Sequence, residues 1–339
     1  MLRWLLARCL WMLVTLVGIT FVTLAMLDLA PVDGARLEAA RREEGGSFAS
    51  FSDREKAILQ LRIHRGMVDA TTLEREPLWR RYGNWLGDAL TLRLAGPNED
   101  DDAFWRRLGE AMPVSLMLGF LALSLTLVIA VPLGGYLGMR AGSVADRTIS
   151  QLMFVIIGIP EFLLATLLLL GFSGAWLSWF PIAGLESRGA AEWSRLDRWL
   201  DLAWHLALPV AVMASGPTVL VTRFLRDSVA RAAASPFAAN LRALGIPPRI
   251  QRRRLLLNGA APLATLAGSL LPMLVSGSLV VENMFSLDGL GHLAYSAAED
   301  QDQAMVMALV LFGSTATLLA LIASDVLQRI VDPRVRVAT

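Results

Sequence analysis

Long apolar stretches alternate with charged ones along the chain. Residues 9–29 (CLWMLVTLVGITFVTLAMLDL) follow Arg3 and Arg8 and have the length of about twenty residues that a helix needs to cross a bilayer. Further apolar stretches occupy 111–139, 150–172, 203–222, 260–281 and 304–326. The first is read as a retained helix, because a signal peptide would have a shorter apolar core and a small-x-small cleavage site, which LDLAPVDGA matches poorly. Lipid offers no partner to irregular backbone, so each stretch is predicted to be helical. The fold class that follows is all-α, a polytopic membrane protein with six transmembrane helices. Two of the spans carry punctuation: Pro113 and Pro132-Leu133-Gly134-Gly135 in 111–139, and Pro160 with Glu161 inside 150–172.

The polar stretches differ among themselves. Residues 31–107 mix acids and bases, with Arg41-Arg42-Glu43-Glu44 at one end and Glu99-Asp100-Asp101-Asp102 at the other. Ile58, Leu59, Leu61 and Ile63 are apolar within a charged stretch, and PLWRRYGNWLGDAL repeats the pattern, which predicts amphipathic helices in a small extramembrane insert. Its first third reads equally well as a solvated loop. Residues 173–202 are rich in tryptophan (Trp176, Trp179, Trp193, Trp199), the residue that favours the membrane–water interface.

The segment 235–262, SPFAANLRALGIPPRIQRRRLLLNGAAP, carries helix punctuation that a disordered linker would not need. Ser235 can cap a helix by accepting an amide hydrogen bond, and Pro236 suits the first helical position. Gly245 can end the helix in a left-handed conformation, and Pro247-Pro248 prevents its continuation. The prediction is a helix of about two turns with a sharp stop. A short capped helix outside the bilayer between two spans reads as a docking element, made of Ser235, Pro236, Phe237, Asn240, Leu241, Arg242, Ala243, Leu244, Gly245 and Ile246. The organisation is then 1–30 (tail and first span), 31–107 (insert) and 108–339 (transmembrane core with the polar loop 223–258).

Composition sharpens this. The chain is 55% hydrophobic with a mean hydropathy of +0.53, too apolar for an ordinary soluble domain. The net charge of +1 argues against nucleic acid as a partner. The single Cys9 excludes an intrachain disulfide. Lys56 is the only lysine and lies in SDREKAIL, away from any glycine-rich loop, so no Walker-type ATP site is present. Arginine is placed asymmetrically: two before Cys9, two in 140–149, eight in 223–258 and three after Leu327, against only Asp146, Asp227 and Asp332 as acids in those four segments. The positive-inside rule puts them, and both termini, in the cytoplasm, with the insert and the Trp-rich loop outside. Moving eight arginines into lipid would cost on the order of 20 kcal/mol.

These residues carry a resemblance over nearly the whole chain to permease subunits of ABC importers of the dipeptide/oligopeptide/nickel type. The 223–258 loop resembles that family's EAA loop, with Gly245 as its fixed glycine and Pro262 opening the next span. WFPIAG (179–184), HLALP (205–209), VVENMFSLDGLG (280–291) and DPRVR (332–336) are similar to family signatures, and Ala30-Pro31-Val32-Asp33 to a turn after the first helix. The resemblance implies a type I importer permease in a bacterial inner membrane. It implies as partners a second homologous permease, two ATP-binding cassette subunits and a periplasmic or lipid-anchored binding protein. ATP and Mg would be held by those partner subunits, and this chain would bind no cofactor and catalyse nothing. The solute would be peptide-like. The glutamate-alanine-alanine positions fall on Ala239, Asn240 and Leu241, and Leu244 stands where a small basic residue is common, so a docking groove particular to this system is expected.

Glu161, Glu282 and Asn283 are candidates for a translocation path or gate, since an intramembrane acid is functional by default; capping a broken or following helix is the competing role. Asp325 is expected to pair with Arg329. His64, His205 and His292 are far apart in sequence, and no metal site is expected. Gly268, Ser276 and Gly277 read as helix-packing residues. An ion-driven secondary transporter would want a repeat and mid-membrane acids, and a serine protease would want GxSxG; neither pattern stands out.

Overall fold

The structure, a computed structural model, describes residues 2–29, 35–36, 39–40, 51–64, 67–69, 72–95, 100–174, 177–260, 263, 270 and 278–331. Its main elements are helices: α1 (Leu2–Leu29), α2 (Phe51–His64), α3 (Leu78–Leu90), α4 (Asp101–Met139), α5 (Val144–Gly158), α6 (Glu161–Phe172), α7 (Arg195–Ala234), α8 (Pro236–Ala243), α9 (Pro248–Ala260), α10 (Leu279–Met284), α11 (Leu290–Glu299) and α12 (Gln303–Val331). Among the described residues, four helices are long and apolar enough to cross a bilayer: Trp4–Leu29, Asp101–Met139, Arg195–Ala234 and Gln303–Val326. α5 and α6 together pass the same test but meet at 100°. Five of the six expected apolar spans are therefore helical. The stretch 260–281, with Pro262, Gly268, Ser276 and Gly277, lies largely outside the described residues, as do 30–34, Arg41–Glu44, DPRVR and the side chain of Arg329.

Four helix boundaries differ from the sequence reading. The 150–172 span is broken rather than straight: Ile159 and Pro160 are extended, and Glu161 opens a new helix. Proline disfavours the α region for the residue before it, and here, unlike at Pro113 and Pro132 inside α4, the preceding residue is extended and the chain turns. Its first half also starts earlier, at Val144, because the Ser143 hydroxyl accepts the Asp146 amide at 3.2 Å. The third difference lies in the Trp-rich loop, whose last eight residues are helix. The Ser194 hydroxyl accepts the Asp197 amide at 3.3 Å and donates to its carboxylate at 2.7 Å. α7 therefore begins at Arg195 and runs without interruption to Ala234. Both starts are Ser-x-x-Asp capping boxes, a signal plainly written in the sequence. α4 begins at Asp101, ten residues before the apolar stretch, with Asp101 and Asp102 favourably placed at the positive end of the helix.

The chain divides into two compact units, residues 1–112 with 292–316, and residues 113–291 with 317–339. In the first, α3 is moored to α1. Tyr82, buried, bonds through its hydroxyl to Thr20 and to the Val17 carbonyl at 2.9 and 3.0 Å. Arg81 and Arg75 both pair with Asp28 at the end of α1. Ile58 and Leu61 of α2 are buried with Ala35 and Ala39, while Leu59 is exposed. In the second unit the largest core gathers Leu118, Ala165, Leu206, Leu208, Val212, Val281, Phe285 and Leu287.

Candidate functional site

The expected docking helix is α8, Pro236–Ala243, two turns long. Its end is a Schellman motif. Gly245 is left-handed at φ +64°. Its amide donates to the Arg242 carbonyl at 3.0 Å, and the Ile246 amide donates to Leu241 at 3.3 Å. Ile246 also packs on the cluster of Ala238, Leu241 and Leu255, the apolar contact that accompanies this cap. Pro247 and Pro248 then start α9, whose Gln251 side chain donates to the Ile246 carbonyl at 2.6 Å. One expectation fails. Ser235 stands at the N-cap position but accepts no amide with its side chain. Its hydroxyl donates instead to the Ala232 carbonyl at 2.7 Å, closing the end of α7. The junction between α7 and α8 is one residue wide, and the orphan carbonyls of α7 compete for the hydroxyl with the orphan amides of α8.

α8 has two faces. Ala238 and Leu241 are buried and hold the helix to its own chain. Pro236, Phe237, Asn240, Arg242, Ala243, Leu244 and Gly245 are exposed, with Leu244 at 74% of its full surface. Leu241, whose size is unusual at its position, therefore fills an internal site, and Phe237 and, more fully, Leu244 are offered outward.

The mounting beneath α8 is tight. Gly134 and Gly138 on α4 bring that helix against α7: a Cβ at Gly138 would lie 2.6 Å from the Arg226 carbonyl and 2.7 Å from Val229. Gly259 on α9 meets the same Val229, at 2.6 Å. Small residues let three backbones converge there. Asp146, buried at the start of α5, accepts two hydrogen bonds from Arg226, at 2.9 and 2.6 Å, and one from the Gly142 amide at 2.8 Å.

The two acids expected near a path are linked by one serine. Glu282 is fully buried. Its carboxylate accepts the Ser115 hydroxyl at 2.8 Å, the Gly291 amide at 2.6 Å and the Ser278 amide at 3.3 Å. A Cβ at Gly289 would lie 2.4 Å from that carboxylate, so the glycines of VVENMFSLDGLG make room for it. Ser115 in turn accepts the Leu290 amide at 2.7 Å. Glu161, first residue of α6 after the break, is exposed and accepts the Ser278 hydroxyl at 3.3 Å. Asn283 is half-buried. Of the two roles weighed for Glu282, the geometry is that of a cap. Sequence reading missed Ser115, Ser278 and the small-residue pairs Gly134/Gly138 and Gly259; the Gly-x-x-x-Gly spacing at 134–138 was the available signal.

Three motifs meet in this unit. Gly184 of WFPIAG donates to the Phe285 carbonyl at 3.0 Å, and Phe180 stacks on Trp204, just before HLALP, at 4.7 Å. His205 bonds through Nδ1 to the Asp201 carbonyl at 2.9 Å. Asp201 holds the Ser187 amide and hydroxyl at 2.7 and 2.6 Å. Among the described residues no cluster of His, Cys, Asp and Glu is arranged to hold a metal.

A polytopic helical membrane protein that mounts a short, self-terminated helix on a glycine-packed base defines the class. Residues 130–337 match the family described as binding-protein-dependent transport system inner membrane component, and the chain belongs to that family. It is 29% identical over 233 residues to the peptidoglycan transport system permease protein YejB of Agrobacterium fabrum strain C58, covering 67% of this chain and 63% of that protein. It is 28% identical over 268 residues to the oligopeptide transport system permease protein AppB of Bacillus subtilis strain 168, covering 77% and 81%. With the oligopeptide transport system permease protein OppB of Mycobacterium tuberculosis strain H37Rv the identity is 29% over 295 residues, covering 84% and 86%.

Proposed function

We propose that this chain is the permease subunit of an ATP-driven importer for a peptide-like solute. It forms half of the path beside a second homologous permease and docks through α8 to one of two ATP-binding cassette subunits. The observation that carries the reading is α8 itself: a helix whose inner face is fixed to its own chain, whose stop is set by a left-handed glycine, and whose outer face is exposed. A chain without a P-loop lysine has to receive its energy through such an element, because alternating access needs a two-state partner to bias it. Permease names among the relatives support a peptide-like solute. The arginine distribution supports cytoplasmic termini in a bacterial inner membrane, with a periplasmic or lipid-anchored binding protein delivering on the other face. ATP and Mg belong to the cassette subunits. Glu161, exposed at the helix break, is the acid best placed to line the path, with Glu282 and Asn283 behind it.

The test is reconstitution of the chain with its genetic neighbours. ATP-dependent solute uptake should require both permeases and the cassette subunits, and the purified chain alone should hydrolyse no ATP. Hydrolysis that survives removal of every cassette subunit would overturn the reading.

A further inference from the structure

Residues 228–260 contain Arg231, Arg242, Arg249, Arg252, Arg253 and Arg254 and no acid. The acid just before them, Asp227, is paired with Arg226 at 2.7 Å. α9 carries four of these arginines. Its inner side is committed: Leu255 and Gly259 are buried, Gly259 lies against Val229 of α7, and Leu256 lies against Gly135 of α4. On the other side the i, i+3, i+4, i+7 spacing puts Ile250, Arg253, Arg254 and Leu257 in one stripe. All four are exposed, Ile250 at 45% and Leu257 at 63%.

The place of the stripe along the chain matters as much as its chemistry. Leu263, six residues after Leu257, packs with Ala130 and Val221 inside apolar helices. Along α9, Arg253 and Arg254 precede Leu257 by about one helical turn. An apolar residue nearest the spans, then two guanidinium groups, is the order in which a bilayer surface presents acyl chains and phosphates. Arginine stems lie along apolar surface while their heads reach the polar layer, and the planar guanidinium pairs phosphate oxygens in a bidentate manner. We propose that Arg253, Arg254 and Leu257 form a contact surface for anionic phospholipid headgroups of the surrounding bilayer, separate from the outward face of α8.

The test uses the full-length chain with Cys9→Ser and Asn258→Cys, labelled at 258 with an environment-sensitive fluorophore. It is reconstituted in phosphatidylcholine vesicles with and without phosphatidylglycerol, each lipid supplied in turn with a headgroup quencher. Quenching by phosphatidylglycerol should exceed quenching by phosphatidylcholine and weaken as salt is raised. Arg253→Gln with Arg254→Gln should lower that preference roughly fivefold per arginine (~1 kcal/mol each), and the corresponding lysine pair should retain it. Equal quenching by both lipids in the parent chain overturns the proposal, as does an unchanged preference in the glutamine pair. Shielding of the label only when cassette subunits are added, whatever the lipid, also overturns it and makes the stripe a protein contact. Should the glutamine pair fail to insert, the parent chain decides alone: a lipid preference that weakens with salt supports the proposal, and one indifferent to salt overturns it.

Discussion

Gly245 offers an unusually clean substitution. No atom beyond its two chain neighbours lies within 4 Å of where its Cβ would stand, so a Cβ there meets conformational strain rather than a clash. That strain is roughly 1–2 kcal/mol and is greatest for a β-branched residue. Gly245→Val should leave membrane insertion intact, since 1–2 kcal/mol is small against the transfer of several apolar helices into lipid. It should nevertheless cut solute uptake strongly, because the Schellman bonds set the angle at which α8 leaves its base. Gly245→Ala should be milder and Arg254→Ala milder still. Uptake and cassette-subunit copurification, measured for the three variants in one membrane background, check this; normal transport by Gly245→Val would show that α8 is not a rigid coupling element. Glu282 makes the opposite case. The three donors described for it are all within the chain, and leaving a buried hydrogen-bonded group unsatisfied costs about 1–3 kcal/mol. Glu282→Gln should lower the unfolding temperature of the detergent-solubilised protein, and Glu161→Gln should lower it far less while weakening apparent solute affinity in uptake assays. A stable Glu282→Gln protein with altered solute affinity would instead place Glu282 on the path. The role of Gly245 was legible because φ, Pro-Pro and a two-turn helix are local matters. The role of Ser235 was not, because two helix ends compete for one hydroxyl, and which end wins depends on three-dimensional geometry.

At the scale of elements, the apolar stretches told where helices cross but not where they begin. Hydropathy measures burial in lipid, whereas a helix starts where its first amides find acceptors. Ser143/Asp146 and Ser194/Asp197 supply those acceptors outside the apolar windows. The helix interfaces were hidden for a different reason: Gly138 and Gly259 converge on Val229 from sites about 90 and 30 residues away in sequence, and one-dimensional spacing cannot reveal that they share a target. The same is true of Asp146 and Arg226, 80 residues apart. Removing one member of a buried pair costs about 3–5 kcal/mol, because the other charge is left without a partner. Because Asp146 is buried but Arg226 is 29% exposed, Arg226→Gln should destabilise the protein by less than that amount, read as a lower unfolding temperature or greater protease sensitivity between α5 and α8. The double change Arg226→Gln with Asp146→Asn should recover part of the loss. A single variant as stable as the parent would show that this pair contributes nothing to the base of α8.

For the whole molecule, the arginine asymmetry makes a commitment that helix packing does not. Each span reverses the side of the next loop, so one misassigned span would scatter the four basic segments over both faces. With α5 and α6 counted as one bent span and 260–281 as another, 140–149, 223–258 and both termini fall together. That grouping concentrates the basic residues where translocation would be most costly. Thr339 and Arg252 should then be cytoplasmic, and Glu44 and Arg195 external. Single cysteines at these four positions in a Cys9→Ser background, treated with a membrane-impermeant maleimide, test the arrangement one loop at a time. Positions 44 and 195 should label in intact cells; 252 and 339 should label only after the membrane is opened. If the bent α5–α6 pair were re-entrant and failed to cross, 195 would move inside and 252 and 339 outside, while 44 would stay where it is. Labelling of position 252 from outside intact cells would place α8 on the face opposite to the cassette subunits, and no adjustment of helix boundaries would restore the coupling role.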